Sequence, residues 1–509
     1  MLLQRIVETS SQVADRSGRL AKKERLADLL RSAAAPEIET VIAFLSGTLR
    51  QTKIGVGYGL LQRVSSEAAA SASSLTLVDV ASTLERLMGA SGKGSAKLRE
   101  STLRELFQRA THEEQQFLFR LLIGEVRQGA LEGVMIDAVA RAAGIDAARV
   151  RRATMLAGDL GVVARAALTE GATGLDRFAI QLFRPIQPML AQTADDVPRA
   201  ITQLGRAALE IKLDGARIQV HRSGNDVRVF SRLLNEVTAA VPEVVAAVSR
   251  LEVASVILDG EAIALRADGS PLPFQTTMRR FGRRLDVEEL QSVLPLRPFF
   301  FDILYADGMA LIDEPYDRRA AALARLVPDG QRPARIVTAE HHEAQRFYDR
   351  AIAAGHEGVM AKSLDAPYEA GSRGAAWLKI KAVHTLDLVV LAAEWGHGRR
   401  RGWLSNLHLG ARDPQHGGFV MLGKTFKGLT DELLDWQTQR FLELATKREG
   451  HIVWVRPEQV VEIACNGLQT SSQYPGGLAL RFARVVRYRS DKQASEADTI
   501  AAVRALHRP

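Results

Sequence analysis

A lysine amine that has lost its proton is a nucleophile toward phosphorus, and one lysine in this sequence stands where such chemistry would need it. The segment Glu210-Ile211-Lys212-Leu213-Asp214-Gly215-Ala216-Arg217 lies between strand-like flanks. It sets the amine beside carboxylates, a glycine turn and a guanidinium. A Lys-x-Asp-Gly pattern alone is a weak signal and reads equally well as an exposed lysine before a turn. Its companions carry more weight. Downstream, in order, come Ser231-Arg232, Leu258-Asp259-Gly260-Glu261, Phe300-Phe301-Asp302, Glu357-Gly358-Val359-Met360-Ala361-Lys362, Trp377-Leu378-Lys379-Ile380-Lys381 and the Arg481 to Lys492 stretch ending Arg489-Ser490-Asp491-Lys492. A free lysine, with a pKa of about 10.4, is neutral in only a few parts in ten thousand at pH 7. Arg217, Lys379, Lys381 and a bound divalent metal are the cations that would disfavour its ammonium form.

Taken in order, these segments resemble motifs I, Ia, III, IIIa, IV, V and VI of the nucleotidyltransferase superfamily of DNA ligases and mRNA capping enzymes. The stretch ahead of Lys212, with Gly92 to Ser95 and Arg120 to Gly129, resembles the DNA-binding domain of ATP-dependent DNA ligases. Arg184-Pro185-Ile186-Gln187-Pro188-Met189-Leu190-Ala191 resembles the lead into their catalytic core. The likeness covers nearly the whole chain and is to the archaeal and eukaryotic three-domain type, also found in some bacteria.

The resemblance implies that Lys212 attacks the α-phosphorus of ATP, expels pyrophosphate and carries AMP to a nick in double-stranded DNA. It implies further that Glu210 reads the adenine amino edge, that Phe301 stacks on the ring, and that Arg217 and Arg232 contact the nucleotide and the DNA 5′-phosphate. Glu261 and Glu357 would serve ribose hydroxyls and Mg²⁺ or another divalent metal. Arg373, Lys379 and Lys381 would neutralise phosphate charge, and Asp491 and Lys492 would orient the pyrophosphate. Hard Mg²⁺ takes carboxylate oxygens and planar aromatics take purines, so the residue types suit the roles. Each has a plainer reading: Phe301 as a core strand residue, Glu261 and Glu357 as solvated turn residues, Lys379 and Lys381 as one exposed basic strand face. Trp377 reads as packing. Arg399-Arg400-Arg401 reads equally as a solvated loop and as a phosphate contact. Leu233, after Arg232, and Ser490 depart slightly from the family pattern, and neither is a transferring group.

The elements that must position these residues change character twice along the chain. Up to about Arg184 the apolar spacing is helical, with stripes at Leu103, Leu106, Phe107 and Ala110 and at Phe117, Leu118, Leu121 and Leu122 behind a Thr111-x-x-Glu114 capping box. Two prolines then favour an extended connector. Alternation at Ile218, Val220, Val227 and Val229 around Ser223-Gly224-Asn225 predicts a hairpin. Further strands are expected at Val256 to Leu258, Phe299 to Tyr305 and Gly358 to Ala361, with helices over Asp286 to Leu294 and Glu343 to Ala354. Beyond Asp387, five short strands and a helix from Asp431 to about Lys447 suit a small barrel of the OB type. The expectation is an all-α DNA-binding domain over 1–184, an α+β nucleotidyltransferase (adenylation) domain over 185–386, and a β-barrel OB-fold domain over 387–509. A hinge is expected at Asp387.

Composition narrows the alternatives. The 509 residues are 46% hydrophobic and 25% charged, which sets disordered and fibrous classes aside. No apolar run approaches the roughly 20 residues of a membrane span, and the first segment lacks a secretory apolar block. A cytoplasmic protein is expected, nucleoid-associated in a bacterium, acting as a monomer. The formal charge of +8 is compatible with nucleic acid without requiring it. The single cysteine, Cys465, excludes the four-cysteine zinc module expected of an NAD-dependent ligase. The helical region ahead of Lys212 argues against an RNA ligase or capping enzyme. The filled charged motif positions argue against a decayed, non-catalytic DNA-binding protein.

Overall fold

A computed structural model describes residues 1–15, 18–49, 55–92, 94–126, 132–282, 287–369 and 375–506. Lys93, Gly129 and Arg373 lie outside them.

Ahead of the connector the described elements are helices, from Leu3–Asp15 to Leu160–Glu170, with a single bridge pairing Leu2 and Thr76. Both predicted stripes point inward; Leu103, Phe107, Phe117 and Leu118 are buried in one apolar core. Thr111 and Glu114 cap the helix His112–Leu122 reciprocally, the Thr111 amide donating to the Glu114 carboxylate at 2.9 Å. That bond satisfies an amide that the first turn would otherwise leave unpaired.

Two five-stranded sheets follow. One runs, in spatial order, through Gln192–Thr193, Trp377–Lys381, Gly358–Ser363, Ala207–Lys212 and Arg335–Thr338. The other runs through Asp226–Ser231, Ala216–Ser223, Ser255–Ala264, Leu296–Ala306 and Met309–Ala310. The predicted hairpin is the first pair of the second sheet. The two predicted helices are present as Val287–Val293 and His341–Ala353. Lys212 is the last residue of its strand, and four residues later, at Ala216, the chain has entered the second sheet. A Cβ on Gly215 would sit 2.4 Å from the Ala262 carbonyl oxygen, so only glycine lets the crossover lie this close to the strand carrying Glu261. Gly358, at φ +149°, is placed in the same way: its Cβ would meet the Ile380 carbonyl.

The C-terminal unit is an OB-like barrel. His384–Trp395 pairs with Leu404–Arg412, Ile452–Val455 and Val460–Cys465 around an apolar core that includes the buried Cys465. The helix here stops at Glu443 rather than Lys447, because Ala445–Glu449 is drawn into the barrel as a strand against Ile452–Val455. Asp387 is not in a loop either. It lies inside His384–Trp395, paired with Glu462, and the chain crosses between units at Ala382–Val383. Among the described residues no helix is long and apolar enough to cross a membrane.

Candidate active site

At the end of its strand, the Lys212 amine lies 2.5 Å from one carboxylate oxygen of Glu357, and Lys381 holds the other oxygen. Burial would raise the Glu357 carboxyl, but the two ammonium groups outweigh it and hold the group below its usual range. Lys381 and Glu357 are thus both brought to Lys212. The amine is not simply ringed by cations, since its nearest charged partner is a carboxylate, and an ion-paired ammonium has no lone pair to attack with. Glu261 lies on the other side of the crossover and accepts from the Gly215 amide at 3.2 Å. Burial pushes its carboxyl up to about 7 against the pull of Lys212 and Arg217, with Asp214 adding to the rise.

Glu210, two residues before Lys212 on the same strand, points to the same side. Its carboxylate accepts from the Tyr316 hydroxyl and pairs with Lys362 at 2.7 Å. The Lys362 amine donates to the Phe301 carbonyl at 3.0 Å and sits 4.8 Å from the Phe301 ring centroid and 4.4 Å from Trp377. Phe300 is fully buried while Phe301, facing the opposite way, is only half-buried. That alternation separates the core aromatic from the one available to a ligand. A cavity of about 140 Å³ opens beside Phe301, lined by Glu210, Tyr316, Leu323, Arg335 and neighbours. A carboxylate acceptor next to an ammonium donor matches the amino group and ring nitrogen on one edge of adenine.

Arg217 differs from expectation. Its guanidinium clamps Asp259 through Nε at 3.0 Å and Nη2 at 2.6 Å, and Nη1 donates to the Met189 carbonyl at 2.8 Å. Burial opposes the charge, but Asp259 outweighs it and keeps the group cationic. Most of the side chain's bonding is therefore spent on the protein. Arg232 is exposed and lines a shallow depression with Arg217 and Asp259, and the neighbouring Leu233 is 79% exposed. Lys379 is half-buried on the strand face shared with Trp377 and Lys381, its Cα opposite Met360. Trp377 packs edge-on to Phe301, in keeping with a packing role.

Asp491 and Lys492 are held within the barrel unit: Asp491 accepts from Arg489, and Lys492 donates to Asp387 at 2.6 Å. The residues that this unit presents to the Lys212 strand are instead Arg481 and Phe482. Arg481 pairs with Asp214 at 3.0 Å, and the Phe482 ring lies 5.4 Å from the Lys381 amine. Arg399 pairs with Asp431 at the start of the barrel helix. Sequence reasoning assigned no role to Asp259, Lys362, Tyr316, Tyr368 or Arg481. Asp259, Lys362 and Arg481 sat inside segments already singled out; Tyr316 and Tyr368 carried no local signal.

Comparison with known proteins agrees with this arrangement. The profile described as ATP dependent DNA ligase domain matches residues 188–381, ATP dependent DNA ligase C terminal region matches 400–492, and DNA ligase N terminus matches 65–140. A probable DNA ligase of Anaeromyxobacter sp. (strain Fw109-5) is 58% identical over 509 residues, covering 100% of this chain and 98% of the relative. One from Mycolicibacterium gilvum (strain PYR-GCK) is 57% identical, covering 100% and 99%. The solved structure titled Pmar-Lig_PreS3 shares the fold at a TM-score of 0.62 and 19% identity, over 95% of this chain and 99% of that one. The chain belongs to the ATP-dependent DNA ligase family.

Proposed function

We propose that Lys212 is the nucleophile through which this ATP-dependent DNA ligase seals nicks in duplex DNA. The observation that carries the assignment is the placement of the Lys212 amine at the crossover between the two sheets, on a carboxylate shared with Lys381 and two residues along the strand from Glu210, which lines the Phe301 recess. The amine forms a bond to the α-phosphorus of ATP as the bond to pyrophosphate breaks. The AMP then passes to the DNA 5′-phosphate, and the 3′-hydroxyl displaces it. For the first step Glu357 has to release Lys212, and Lys381 is placed to keep that carboxylate. Glu210 and Lys362 read the adenine edge, and Phe301 supplies the stacking face. Arg217 and Arg232 face the nucleotide and the DNA 5′-phosphate; Arg373, Lys379 and Lys381 balance phosphate charge; Asp491 and Lys492 orient pyrophosphate once Asp387 gives up its hold on Lys492.

Mg²⁺ fits the residues present. Among the described residues no group of three or more His, Cys, Asp or Glu gathers to hold a metal, but Mg²⁺ commonly uses one or two carboxylates together with substrate phosphates. Glu261, a carboxyl raised by burial, and Glu357 are the two that would hold it. When bound, the ion supplies charge neutralisation on the phosphates.

The helical unit, over 1–184, is the DNA-binding domain; the adenylation domain, expected over 185–386, runs from 185 to the joint at Ala382–Val383, and the OB-fold domain, expected over 387–509, starts with the strand His384–Trp395. The protein acts as a monomer in the cytoplasm, on the nucleoid, in replication, repair or recombination. The test is transfer of label from α-labelled ATP to the protein: Lys212→Ala is expected to abolish it, and undiminished labelling would remove Lys212 from the reaction.

A further inference from the structure

The alternate residues Arg217, Gln219 and His221 on one strand all bond the connector that leads in from the helical unit. His221 Nδ1 accepts from the Phe183 amide at 3.0 Å. Gln219 accepts from the Ile186 amide at 2.7 Å and donates to its carbonyl at 2.9 Å. Arg217 donates to the Met189 carbonyl at 2.8 Å. At the Arg217 end a second hub appears. The buried Tyr368 hydroxyl accepts from the Met189 amide at 2.9 Å and from Arg217 Nη2 at 3.3 Å, and donates to Asp259 Oδ2 at 2.6 Å. One donor and two acceptors saturate a phenol. Burial pushes that hydroxyl well above the tyrosine range, so it remains a donor. Of the five N–H groups of Arg217, the structure commits four: Nε and one Nη2 hydrogen to Asp259, the other Nη2 hydrogen to Tyr368, and one Nη1 hydrogen to Met189.

We propose that Tyr368 is a positioning residue for ligation: its hydroxyl joins Asp259, Arg217 and the connector into one hub that leaves a single Nη1 hydrogen of Arg217 for the DNA 5′-phosphate. This rests on the reading of Arg217 given above. A guanidinium anchored on three sides meets its phosphate without first having to be ordered. Tyr368 touches neither nucleotide nor DNA in this account; it acts through Arg217.

The test uses full-length protein charged with ATP and then held in EDTA, binding nicked duplexes that carry either a 5′-phosphate or a 5′-hydroxyl. The readout is the ratio of the two affinities, which a general loss of stability does not change. Tyr368→Phe is expected to lower that ratio about tenfold, the size of one charge-assisted hydrogen bond. Gln219→Leu, which frees the connector without touching Arg217, is expected to leave the ratio intact. An unchanged ratio in Tyr368→Phe overturns the proposal, and so does an equal loss in Gln219→Leu. Should Tyr368→Phe not fold, Asp259→Asn breaks the same hub, and retention of the ratio there overturns the proposal equally. Arg217→Ala separates the two levels. If it keeps the ratio, the reading of Arg217 fails and the proposal with it; if it loses the ratio while Tyr368→Phe keeps it, only the role of Tyr368 falls.

Discussion

The adenylation core is joined to its two neighbours by contacts of opposite kinds. Toward the helical unit the joint is apolar and closed: Met155 and Leu156 share one buried cluster with Ile186, Met189, Ile257, Leu304, Tyr368 and Trp377. Polar bonds accompany it: the Gln187 amide donates to the Met155 carbonyl at 3.0 Å, the Gln187 side chain to Glu132 at 2.6 Å, and the exposed Arg152 pairs with Asp313. Toward the barrel unit the joint is polar and open. Asp214 with Arg481, Gln275 with the Thr470 carbonyl, and Asn466 with the Ala382 carbonyl make it, around a two-residue crossing at Ala382–Val383. Buried apolar area stabilises by about 25 cal/mol per Å², whereas a half-exposed ion pair contributes about 0 to 1 kcal/mol. One joint is therefore built to hold and the other to open, as the hinge expected from the sequence would require.

The sharpest way to break this contrast is to put a charge into the closed joint. Ile186 is fully buried between Gln219 and the apolar cluster. Ile186→Asp is expected to cost about 3 kcal/mol or more in urea denaturation, because an unpaired carboxylate cannot be solvated there. A loss under about 1 kcal/mol would mean that this joint opens to water and is no firmer than the other.

Much of the site was legible because its chemistry is concentrated in short runs. Glu210 to Arg217 and Glu357 to Lys362 each place several interacting groups within eight residues, and alternation already says which share a face. The Thr111 capping box is local for the same reason. What was not legible depends on partners far away in sequence: Tyr368 meets Asp259 across 109 positions and Tyr316 meets Glu210 across 106. That most of the Arg217 guanidinium is held by Asp259, 42 positions away, with one Nη1 hydrogen left over, was likewise out of reach of any local pattern. Ala445–Glu449 reads as a helix end because Ala, Lys, Arg and Glu favour helix, and barrel pairing with Ile452–Val455 overrides that preference.

A smaller effect separates the two units by acid. In the barrel, burial would raise Glu394, but hydrogen bonds from Lys424, His408 and Asn406 bring it down to about 2 from 4.5. Its stabilisation is present above pH 4.5 and is lost as pH falls toward 2. Glu261 has the reverse sign. Raised by burial to about 7, its contribution is present below 4.5 and is lost as pH rises through 7. Acidification should thus weaken the barrel while relieving the adenylation core. Glu394→Gln is expected to cost about 1 kcal/mol at pH 7 and to flatten the acid limb of barrel unfolding, whereas Glu261→Gln removes the decline between pH 4.5 and 7. Identical pH profiles for both variants and the wild type would dissolve the distinction.

The smallest expected energy belongs to the open joint, where it has the largest consequence for motion. Arg481 and Asp214 are each about a quarter exposed, with side chains at 20% and 26%. Arg481→Ala should therefore change global stability by less than about 1 kcal/mol. It does remove the ion pair that holds the barrel unit against the Lys212 strand. Cleavage at Ala382–Val383 should then become faster in the free protein, and high salt should reproduce the change in the wild type by screening the pair. Because Lys492 is bonded to Asp387 rather than to the adenylation sheets in this docked arrangement, loosening the dock should also speed self-adenylation relative to sealing of pre-adenylated nicks. Equal changes in both steps, or cleavage that ignores salt, would show that Arg481 is not what holds the barrel in place.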